Sequence, residues 1–537
     1  MTLFINYHKY TVRQAATFGL FFLLIFIAGL AMFSNLTHSH DWGGDFAAYI
    51  MQAKSIVDDS PQTFAEASRF TFEQSSLATG PITYPWGFPL LLAPFYAIWG
   101  LNLVALKAVG IISYLLFLVV LWFGFRKVHA TPWFLCLMCL FAFNPSLIAF
   151  SDIIMSDLPF LLLSTLCILL IQTIVVQNKH IISNFWSYFL IGFVITFAFL
   201  IRTNGILLLV TLGISQVVSY LQKQLHSGEA ILKYERPTLS LKVFAFYKRT
   251  SIKSLLLHLI PYVIFFCSIT LWVRIFPDGG VSHASYLKDI SIASLVGNFE
   301  YYLTILARFF VGIPYNKVLY IITIPLAIAG VAWRYKLDYP AIIYIILNFI
   351  LYIIWPFKQD LRFLYPILPF YISFVLFGLE ALYNRMVVLE KQIRKPLCYL
   401  PVVLVIVFFG FNMLSNTNSK KFYRSELTSG PFGPTAQEMF AFISNNTKST
   451  DTIIFFKPRV MRFITGRQSM LVENVDQFIR GDYLSFYINI RWWDYIFQLS
   501  QDQLESLITK GDAGLVFENH DFKVYQLKKS YYHKPTN

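Results

Sequence analysis

Eleven runs of mostly apolar residues, each about as long as a membrane-crossing helix, dominate this 537-residue sequence. A transmembrane helix needs about 20 consecutive, predominantly apolar residues. The runs lie at 14–34, 106–125, 132–150, 157–176, 182–201, 204–221, 255–275, 317–333, 340–356, 364–383 and 397–414. Because only 13% of the residues are charged, roughly half the share in a soluble protein, soluble globular and disordered classes are excluded. We predict an all-α polytopic membrane bundle of about eleven transmembrane helices.

The positions of Lys and Arg predict how this bundle is oriented. If the N-terminus is cytoplasmic, the inside segments contain 18 basic residues in 76 positions, and the outside segments before residue 364 contain 7 in 127. Cytoplasmic loops of membrane proteins are enriched in Lys and Arg, so this orientation is favoured. Eleven spans then place the tail after Leu414 outside. In this interpretation the net charge of +14 reflects basic cytoplasmic loops, and nucleic acid is not a predicted partner.

The stretch 84–99 is apolar but is not predicted to span the membrane. Pro85, Pro89 and Pro94 each remove a backbone hydrogen-bond donor and disfavour an uninterrupted helix. Freed backbone groups inside hydrocarbon need protein or water partners. We predict an interfacial or re-entrant segment that covers the outer mouth of the bundle.

The tail from residue 415 to residue 537 differs sharply in composition from the bundle. It alternates helical patterns at Thr435–Ser444 and Ser500–Lys510 with strand-like runs. The strand-like runs are Thr452–Phe456, Gly514–Glu518 and Phe522–Leu527. Such alternation predicts a small α/β domain of about 120 residues. We therefore divide the chain into a transmembrane domain, 1–414, and a small C-terminal extracytoplasmic α/β domain, 415–537.

Two acids begin the first outer loop, at the predicted membrane–water boundary. Asp41 and Asp45 are four residues apart, so a helix that starts here would place them on one face. A partly desolvated carboxylate is a better general base, and both residues are candidates for that role. The alternative is an acidic helix N-terminus in which Asp41 is the cap.

A second acidic pair, Asp152 and Asp157, brackets the predicted outer hairpin between the third and fourth spans. The connection has no basic residue, and acids without cationic neighbours are costly at a membrane boundary, which favours a functional role. Alternatively, Asp152 or Ser156 caps the fourth span with Pro159 in its first turn. That alternative explains Asp157 less well.

Two arginines meet the same predicted outer face. Arg202 lies between the fifth and sixth spans, and Arg362 lies at the start of the tenth. A guanidinium binds phosphate oxygens through two parallel hydrogen bonds and keeps its charge near low dielectric. The alternative for each is snorkelling to lipid headgroups. Acids from two loops and arginines from two others converge on one surface in this topology, which indicates a functional site.

Five short segments follow one another along the bundle. They are Gly44–Tyr49, Tyr84–Pro94, Ser156–Phe160, Arg202–Gly205 and Asp360–Pro369. Through these segments the chain, over roughly residues 1–415, resembles the GT-C superfamily of polytopic glycosyltransferases. The resemblance is to its bacterial family 39-like group, akin to protein O-mannosyltransferases and lipid A aminoarabinose transferase.

The resemblance implies an inverting hexosyl- or pentosyltransferase of the bacterial inner membrane. Such an enzyme moves a sugar from a polyprenyl-phosphate donor to a hydroxyl of a lipid, glycan or protein acceptor on the extracytoplasmic face. Asp45 matches the family's catalytic acid in the first outer loop, and Asp157 matches the acid of the second motif. Arg362 and Arg202 would then bind the donor phosphate. Relatives usually have Glu where this chain has Phe46, so we predict no certain cofactor and no metal ligands, although a divalent cation is compatible with the resemblance.

A cluster of cations follows the first predicted strand of the tail, namely Lys457, Arg459, Arg462 and Arg467. The start of a helix attracts anions, and these cations would add to that attraction. We predict that Arg459 and Arg462 bind an acidic or phosphorylated acceptor. The alternative is a solvated basic face or a contact with anionic headgroups.

The alternative function is a flippase for lipid-linked sugars or another polytopic transporter, which would also contain intramembrane charges and discontinuous segments. Transporters often have two related halves, whereas this chain concentrates its acids in the first outer loops. A flippase would move the lipid-linked sugar across the bilayer and would not transfer the sugar.

Overall fold

Apolar helices form most of the chain before residue 415 in the computed structural model. The structure describes residues 2–77, 79–179, 183–232, 252–277, 279, 290–385, 397–415, 430–474, 480–490 and 497–528. The helices of this part are α1 (Thr2–Ser34), α2 (Gly44–Val57), α3 (Pro61–Gln74), α4 (Gly87–Trp99), α5 (Leu103–Phe125), α6 (Thr131–Ala142), α7 (Pro145–Phe150), α8 (Asp157–Ile171), α9 (Asn184–Ile201), α10 (Ile206–Leu232), α11 (Ile252–Ile275), α12 (Ile292–Ile305), α13 (Asn316–Ile354), α14 (Leu368–Arg385) and α15 (Leu400–Ser415). Nine helical stretches within the described residues are long and apolar enough to cross a membrane. The prediction of a multi-pass helical membrane protein is confirmed. Most residues of the basic loops predicted at 222–254 and 384–396 lie outside the described part of the chain.

The longest helix, α13, folds back on itself at Asp338, where the backbone leaves the helical conformation. The Asn316 side chain at its start donates a hydrogen bond to the Ala307 carbonyl. Near its end, the Tyr352 ring lies 5.6 Å from the Tyr302 ring. A straight helix would separate Asn316 from Tyr352 by about 54 Å, whereas the five residues from Tyr302 to Ala307 reach at most about 18 Å. Because both ends of α13 contact this short segment, the helix must fold back. The two arms of this hairpin coincide with the predicted spans 317–333 and 340–356.

Two other predicted segments form short helices. The predicted span 397–414 corresponds to α15, which has 16 residues and is not among the nine stretches long enough to cross a membrane, so this span stays a prediction. The proline-containing stretch 84–99 forms the 13-residue helix α4, with Pro94 inside it. At 1.5 Å per residue, α4 is about 20 Å long and cannot cross a hydrocarbon core of about 30 Å. The prediction that this stretch does not span is confirmed, and its interfacial placement stays a prediction.

The residues after Gly430 form a five-stranded mixed sheet with helices packed against it. Its elements are α16 (Pro434–Asn446), β1 (Thr452–Ile454), α17 (Pro458–Thr465), β2 (Gln468–Met470), β3 (Tyr483–Tyr487), α18 (Gln501–Thr509), β4 (Ala513–Glu518) and β5 (Phe522–Leu527). In the strand order β2-β1-β3-β5-β4, β1 is parallel to β2 and β3, and β5 is antiparallel to β3 and β4. The predicted small α/β domain is confirmed, with β2 and β3 as strands that the sequence patterns did not reveal. The predicted domain boundary at residues 414 and 415 adjoins residues outside the described part of the chain.

One side chain from residues 35–105, the segment predicted to be the first outer loop, joins this C-terminal domain to the helices. The Trp42 ring centroid lies between 5.1 and 6.3 Å from five aromatic rings of the domain. These rings belong to Phe440, Phe455, Phe456, Tyr487 and Phe522. Aromatic pairs at such distances contribute about 0.5–1.5 kcal/mol each beyond the area that they bury. The hydrophobic core therefore continues without a break from the bundle into the domain, while a second, smaller cluster forms around Ile454 and Leu484.

A second contact between the two parts runs along the end of α3. The Thr71 hydroxyl donates to the Ser469 carbonyl at 2.9 Å. The Ser76 N–H donates to the Leu471 carbonyl at 2.9 Å, and the Leu471 N–H donates to the Ser75 hydroxyl at 3.0 Å. Because backbone groups on both sides are paired, the C-terminal domain has a fixed position on the first outer loop.

Candidate functional site

The candidate site is built around Asp45, in the first turn of α2. The helix begins at Gly44, and its next residues, 46–50, are buried, so the helix is anchored in the protein. The Asp45 side chain is 35% exposed and lies where the first outer loop meets the C-terminal domain. No side chain caps the start of α2, so the predicted alternative of an Asp cap is wrong.

Two side chains that are distant in sequence hold Asp45. The Tyr84 hydroxyl donates a hydrogen bond to Asp45 Oδ1 at 2.5 Å. Arg459 Nη1 lies 3.8 Å from the same oxygen and donates to the Tyr84 hydroxyl at 3.0 Å. Burial and the negative charge of Asp45 raise the pKa of Tyr84 well above its usual value. The phenol therefore stays protonated and remains a hydrogen-bond donor.

Asp41 is separate from this arrangement. Because α2 begins only at Gly44, the expectation that both acids share one helix face is wrong. Asp41 Oδ1 accepts the Gly43 N–H and lies 2.7 Å from Nδ1 of His40. The Asp41 side chain is 52% exposed, and the adjacent His40 ring and the Gly43 N–H lower the pKa of Asp41 to about 2. A carboxylate with so low a pKa is a weak base, so Asp45 is the stronger candidate.

Asp152 forms a buried ion pair. Lys107, from the apolar helix α5, lies 2.6 Å from Asp152 Oδ1, and the two side chains are 0% and 2% exposed. The Lys107 ammonium also donates to the carbonyls of Thr37 and Ser39, while Asp152 accepts the N–H and the hydroxyl of Thr37. The expectation that this acid lacks a cationic neighbour is wrong, because its partner comes from a transmembrane helix and not from a loop. The pair fixes the segment that leads to Asp45.

Asp157 and Arg202 form a second ion pair. Arg202 Nη1 lies 2.6 Å from Asp157 Oδ1. Asp157 is almost fully buried, and its other oxygen, Oδ2, has no hydrogen-bond partner among the described residues. Because the carboxylate neutralises the guanidinium, Arg202 attracts a further anion less than an unpaired arginine would.

Arg362 lies in the 3₁₀ turn Leu361–Ile367 and shares an aromatic ring with Arg202. The two guanidinium carbons lie 5.5 and 5.2 Å from the centroid of Phe363. Arg362 donates a hydrogen bond to the side-chain oxygen of Gln359. Within the described ranges, no carboxylate forms an ion pair with Arg362, since the nearby Asp360 is paired with Arg308. Among the arginines of this site, Arg362 is therefore the one that has no carboxylate partner within the described part of the chain.

A continuous series of contacts connects Asp45 to these arginines. The Tyr84 ring lies 4.7 Å from the ring of Tyr49, which is one helical turn after Asp45. The Tyr49 hydroxyl lies 3.2 Å from the hydroxyl of Ser156, the residue before Asp157. The structure thus brings together four of the residues selected from the sequence: Asp45, Asp157, Arg202 and Arg362. The sequence patterns did not reveal the connecting tyrosines, Tyr49 and Tyr84. Both lie in the segments that carry the family resemblance, and Tyr49 has helical spacing from Asp45.

Arg459 and Arg462 lie in α17 and do not form an exposed basic face. Arg459 is 7% exposed and donates to the Pro81 carbonyl at 2.5 Å. Arg462 donates to the Ser68 hydroxyl at 2.7 Å and lies over the ring of Phe64. Burial and the charge of Arg459 lower the pKa of Arg462 to about 10, so the Arg462 guanidinium remains charged at neutral pH. The alternative of a solvated basic face is wrong, and the predicted acceptor-binding role stays a prediction.

The described residues do not assemble a metal site. They contain no group of three or more His, Cys, Asp or Glu side chains that could hold a metal ion. Of the two motif acids, Asp45 has one oxygen engaged by Tyr84, and Asp157 has one engaged by Arg202. We therefore derive no step through a metal, and a role for a divalent cation stays a prediction.

Comparison with known proteins gives similarity in structure only. No family model matches the sequence, and no curated protein matches it. ArnT from Cupriavidus metallidurans bound to undecaprenyl phosphate is 12% identical with a TM-score of 0.55, over 95% of this chain and 98% of that chain; its apo structure also gives 0.55. The archaeal oligosaccharyltransferase AglB from Archaeoglobus fulgidus, in complex with an inhibitory peptide and a dolichol-phosphate, is 11% identical with a TM-score of 0.51, over 96% of this chain and 75% of that chain. The chain therefore shares the fold of ArnT and AglB, and the resemblance predicted from its motifs is confirmed at the level of the fold.

Proposed function

We propose that the protein is a membrane glycosyltransferase that uses a polyprenyl-phosphate sugar and acts on the extracytoplasmic face. The observation that carries this proposal is the continuous cluster from the partly exposed Asp45 to Arg362, the arginine that has no carboxylate partner within the described residues. A base and a phosphate ligand in one cluster are the two groups that transfer from a phosphate-linked sugar requires. The undecaprenyl phosphate in ArnT and the dolichol-phosphate in AglB support a lipid phosphate as the donor's leaving group.

Asp45 is the general base of the proposed reaction. Its carboxylate takes the proton of the acceptor hydroxyl while that oxygen forms a bond to the anomeric carbon of the sugar. The bond from this carbon to the phosphate oxygen breaks in the same step, and its electron pair leaves with the polyprenyl phosphate. Attack opposite the leaving phosphate inverts the configuration. General base catalysis of this kind accelerates a reaction by about 100- to 10,000-fold.

Arg362 is the main ligand of the donor phosphate. The phosphate gains negative charge as the sugar departs, and a fixed guanidinium in a poorly hydrated site stabilises that charge. Arg202 contributes less charge because Asp157 neutralises it. We assign Asp157 the role of orienting Arg202 beside Phe363, which both arginines share.

The transferred group is a hexose or a pentose, and the acceptor hydroxyl belongs to a lipid, a glycan or a protein. A strain that lacks the gene tests this proposal through its lipids. We expect the strain to lose one glycan and to accumulate a polyprenyl-phosphate sugar, because the donor is no longer consumed. Accumulation of that lipid only on the cytoplasmic side would instead indicate the flippase.

Complementation of this strain tests the base. Asp45→Asn keeps the shape of the side chain and removes the base, so it should fail to restore the glycan although the protein is made. Asp58→Asn is the matched control, because Asp58 follows the other end of the same helix and is exposed. Full complementation by Asp45→Asn would contradict the assigned mechanism.

A further inference from the structure

The arginine that contacts the candidate base comes from the C-terminal domain. Resting on the proposed function, we infer that Arg459 is a positioning residue that orients the Asp45 carboxylate through Tyr84. The transmembrane domain then does not contain a complete catalytic site. The site is finished only when the C-terminal domain is docked on the first outer loop.

Three contacts hold the Arg459 guanidinium in one position. Nη2 donates to the Pro81 carbonyl at 2.5 Å, and Nη1 donates to the Tyr84 hydroxyl at 3.0 Å. The guanidinium carbon lies 5.1 Å from the centroid of the Tyr84 ring. A planar guanidinium with two directed hydrogen bonds fixes its neighbours more narrowly than an ammonium does.

The loop before Tyr84 is shaped around this guanidinium. Gly80 has a φ of +88°, a conformation that side chains with a Cβ rarely adopt. A Cβ at this position would lie 2.8 Å from both Nη atoms of Arg459 and 3.0 Å from the Tyr84 hydroxyl. Glycine is therefore required at position 80 both for the backbone conformation and for the close approach of Arg459.

These contacts determine which oxygen of Asp45 is available. The Tyr84 hydroxyl accepts a hydrogen bond from Arg459, which directs its own proton to Asp45 Oδ1 at 2.5 Å. Oδ1 is thus engaged, whereas no residue of the described part of the chain donates a hydrogen bond to Oδ2. Oδ2 is then the atom that receives the acceptor's proton. Without Arg459, the Tyr84 hydroxyl is free to rotate, and the carboxylate loses its fixed direction.

Docking of the C-terminal domain acts on the same short segment. Trp42, three residues before Asp45, packs against five aromatic rings of the domain. Asp45 is therefore bounded by domain contacts on two sides, the Trp42 ring set and the Arg459 guanidinium. This arrangement makes the C-terminal domain a part of the catalytic site and not only an appended surface.

The test uses purified full-length variants, with the polyprenyl-phosphate sugar from the deletion strain as donor and membranes of that strain as acceptor. We expect Arg459→Gln and Tyr84→Phe each to lower kcat by about 10- to 100-fold, because misplacement of a reacting group by about 1 Å has effects of this size. The apparent KM of the donor should stay within about twofold, since neither residue contacts the donor. Arg459→Lys should restore part of the loss, and the double variant should be no slower than the slower single variant, because both residues act through one hydrogen bond.

Arg480→Gln is the matched control. Arg480 is exposed and donates to Gln74 across the same contact between the first outer loop and the C-terminal domain, so its loss should leave kcat within about twofold of wild type. Wild-type kcat in Arg459→Gln, or multiplied losses in the double variant, would overturn the inference. If Arg459→Gln does not fold, wild-type kcat in Tyr84→Phe overturns it equally. Asp45→Asn in the same assay separates the two proposals: an inactive Asp45→Asn beside a fully active Arg459→Gln removes only the inference, whereas an active Asp45→Asn removes the proposed base.

Discussion

The buried pair of Lys107 and Asp152 gives the sharpest stability prediction. Lys107→Met keeps a similar volume and removes an ammonium that donates to Asp152 and to the carbonyls of Thr37 and Ser39. The Asp152 carboxylate then stays buried, with only the N–H and hydroxyl of Thr37 as partners. Removal of one member of a fully buried pair costs about 3–5 kcal/mol. We expect a loss of this size in the free energy of unfolding, measured by titration with a denaturing detergent in mixed micelles.

A double variant and a control complete this experiment. Lys107→Met with Asp152→Leu removes both charges and should be less destabilised than Lys107→Met alone, because no unpaired charge remains buried. Lys54→Met, at an exposed lysine of α2, should change the unfolding free energy by no more than about 0.5 kcal/mol. A loss below about 1 kcal/mol in Lys107→Met, or a double variant less stable than the single, would refute the reasoning.

Three further predictions concern charge at the candidate site. Arg362→Ala should abolish transfer, and Arg362→Lys should restore it only in part, because an ammonium lacks the second parallel donor. Wild-type activity in Arg362→Ala would remove Arg362 from the mechanism. The pKa of Asp41 is lowered to about 2, so the ionised Asp41 carboxylate stabilises the fold above its unfolded pKa of about 3.9, and this stabilisation is lost as the pH falls towards 2. When the free energy of unfolding is measured against pH, Asp41→Asn should lack this component. An unchanged pH dependence would show that the carboxylate has no such role. Treatment with a chelator should leave transfer unchanged under the metal-free mechanism, and activity that is lost with chelator and recovered with Mg²⁺ or Mn²⁺ would reinstate a divalent cation.

The sequence predicts the helical bundle well because each span is a local signal of about 20 apolar residues. The same local signal identifies both arms of the hairpin at Asp338 as separate spans. The sequence also selects Asp45, Asp157, Arg202 and Arg362, because each lies in a short motif at the end of an apolar run. The structure brings these four residues together, and their roles stay predictions.

The parts that were not predicted depend on contacts between distant segments. Lys107 lies inside an apolar run, where hydropathy gives no indication of a carboxylate partner in the turn between α7 and α8. Arg459 was assigned to an acceptor surface because its strand and helix pattern is local, whereas its ion pair with Asp45 joins opposite ends of the chain. Such pairs become visible only when the docking of the C-terminal domain is known.

The distance along the chain between Asp45 and Arg459 has a consequence for biosynthesis. About 400 residues separate them, so at about 5–20 residues per second the ribosome needs about 20–80 s to make the second after the first. During this interval Trp42 lacks its five aromatic partners in the C-terminal domain. If Arg459 orients Asp45 as proposed, a nascent chain that still lacks Arg459 consumes the donor about 10- to 100-fold more slowly than the full chain. Under this proposal, the site reaches its full activity only after Arg459 has been made and the C-terminal domain has docked.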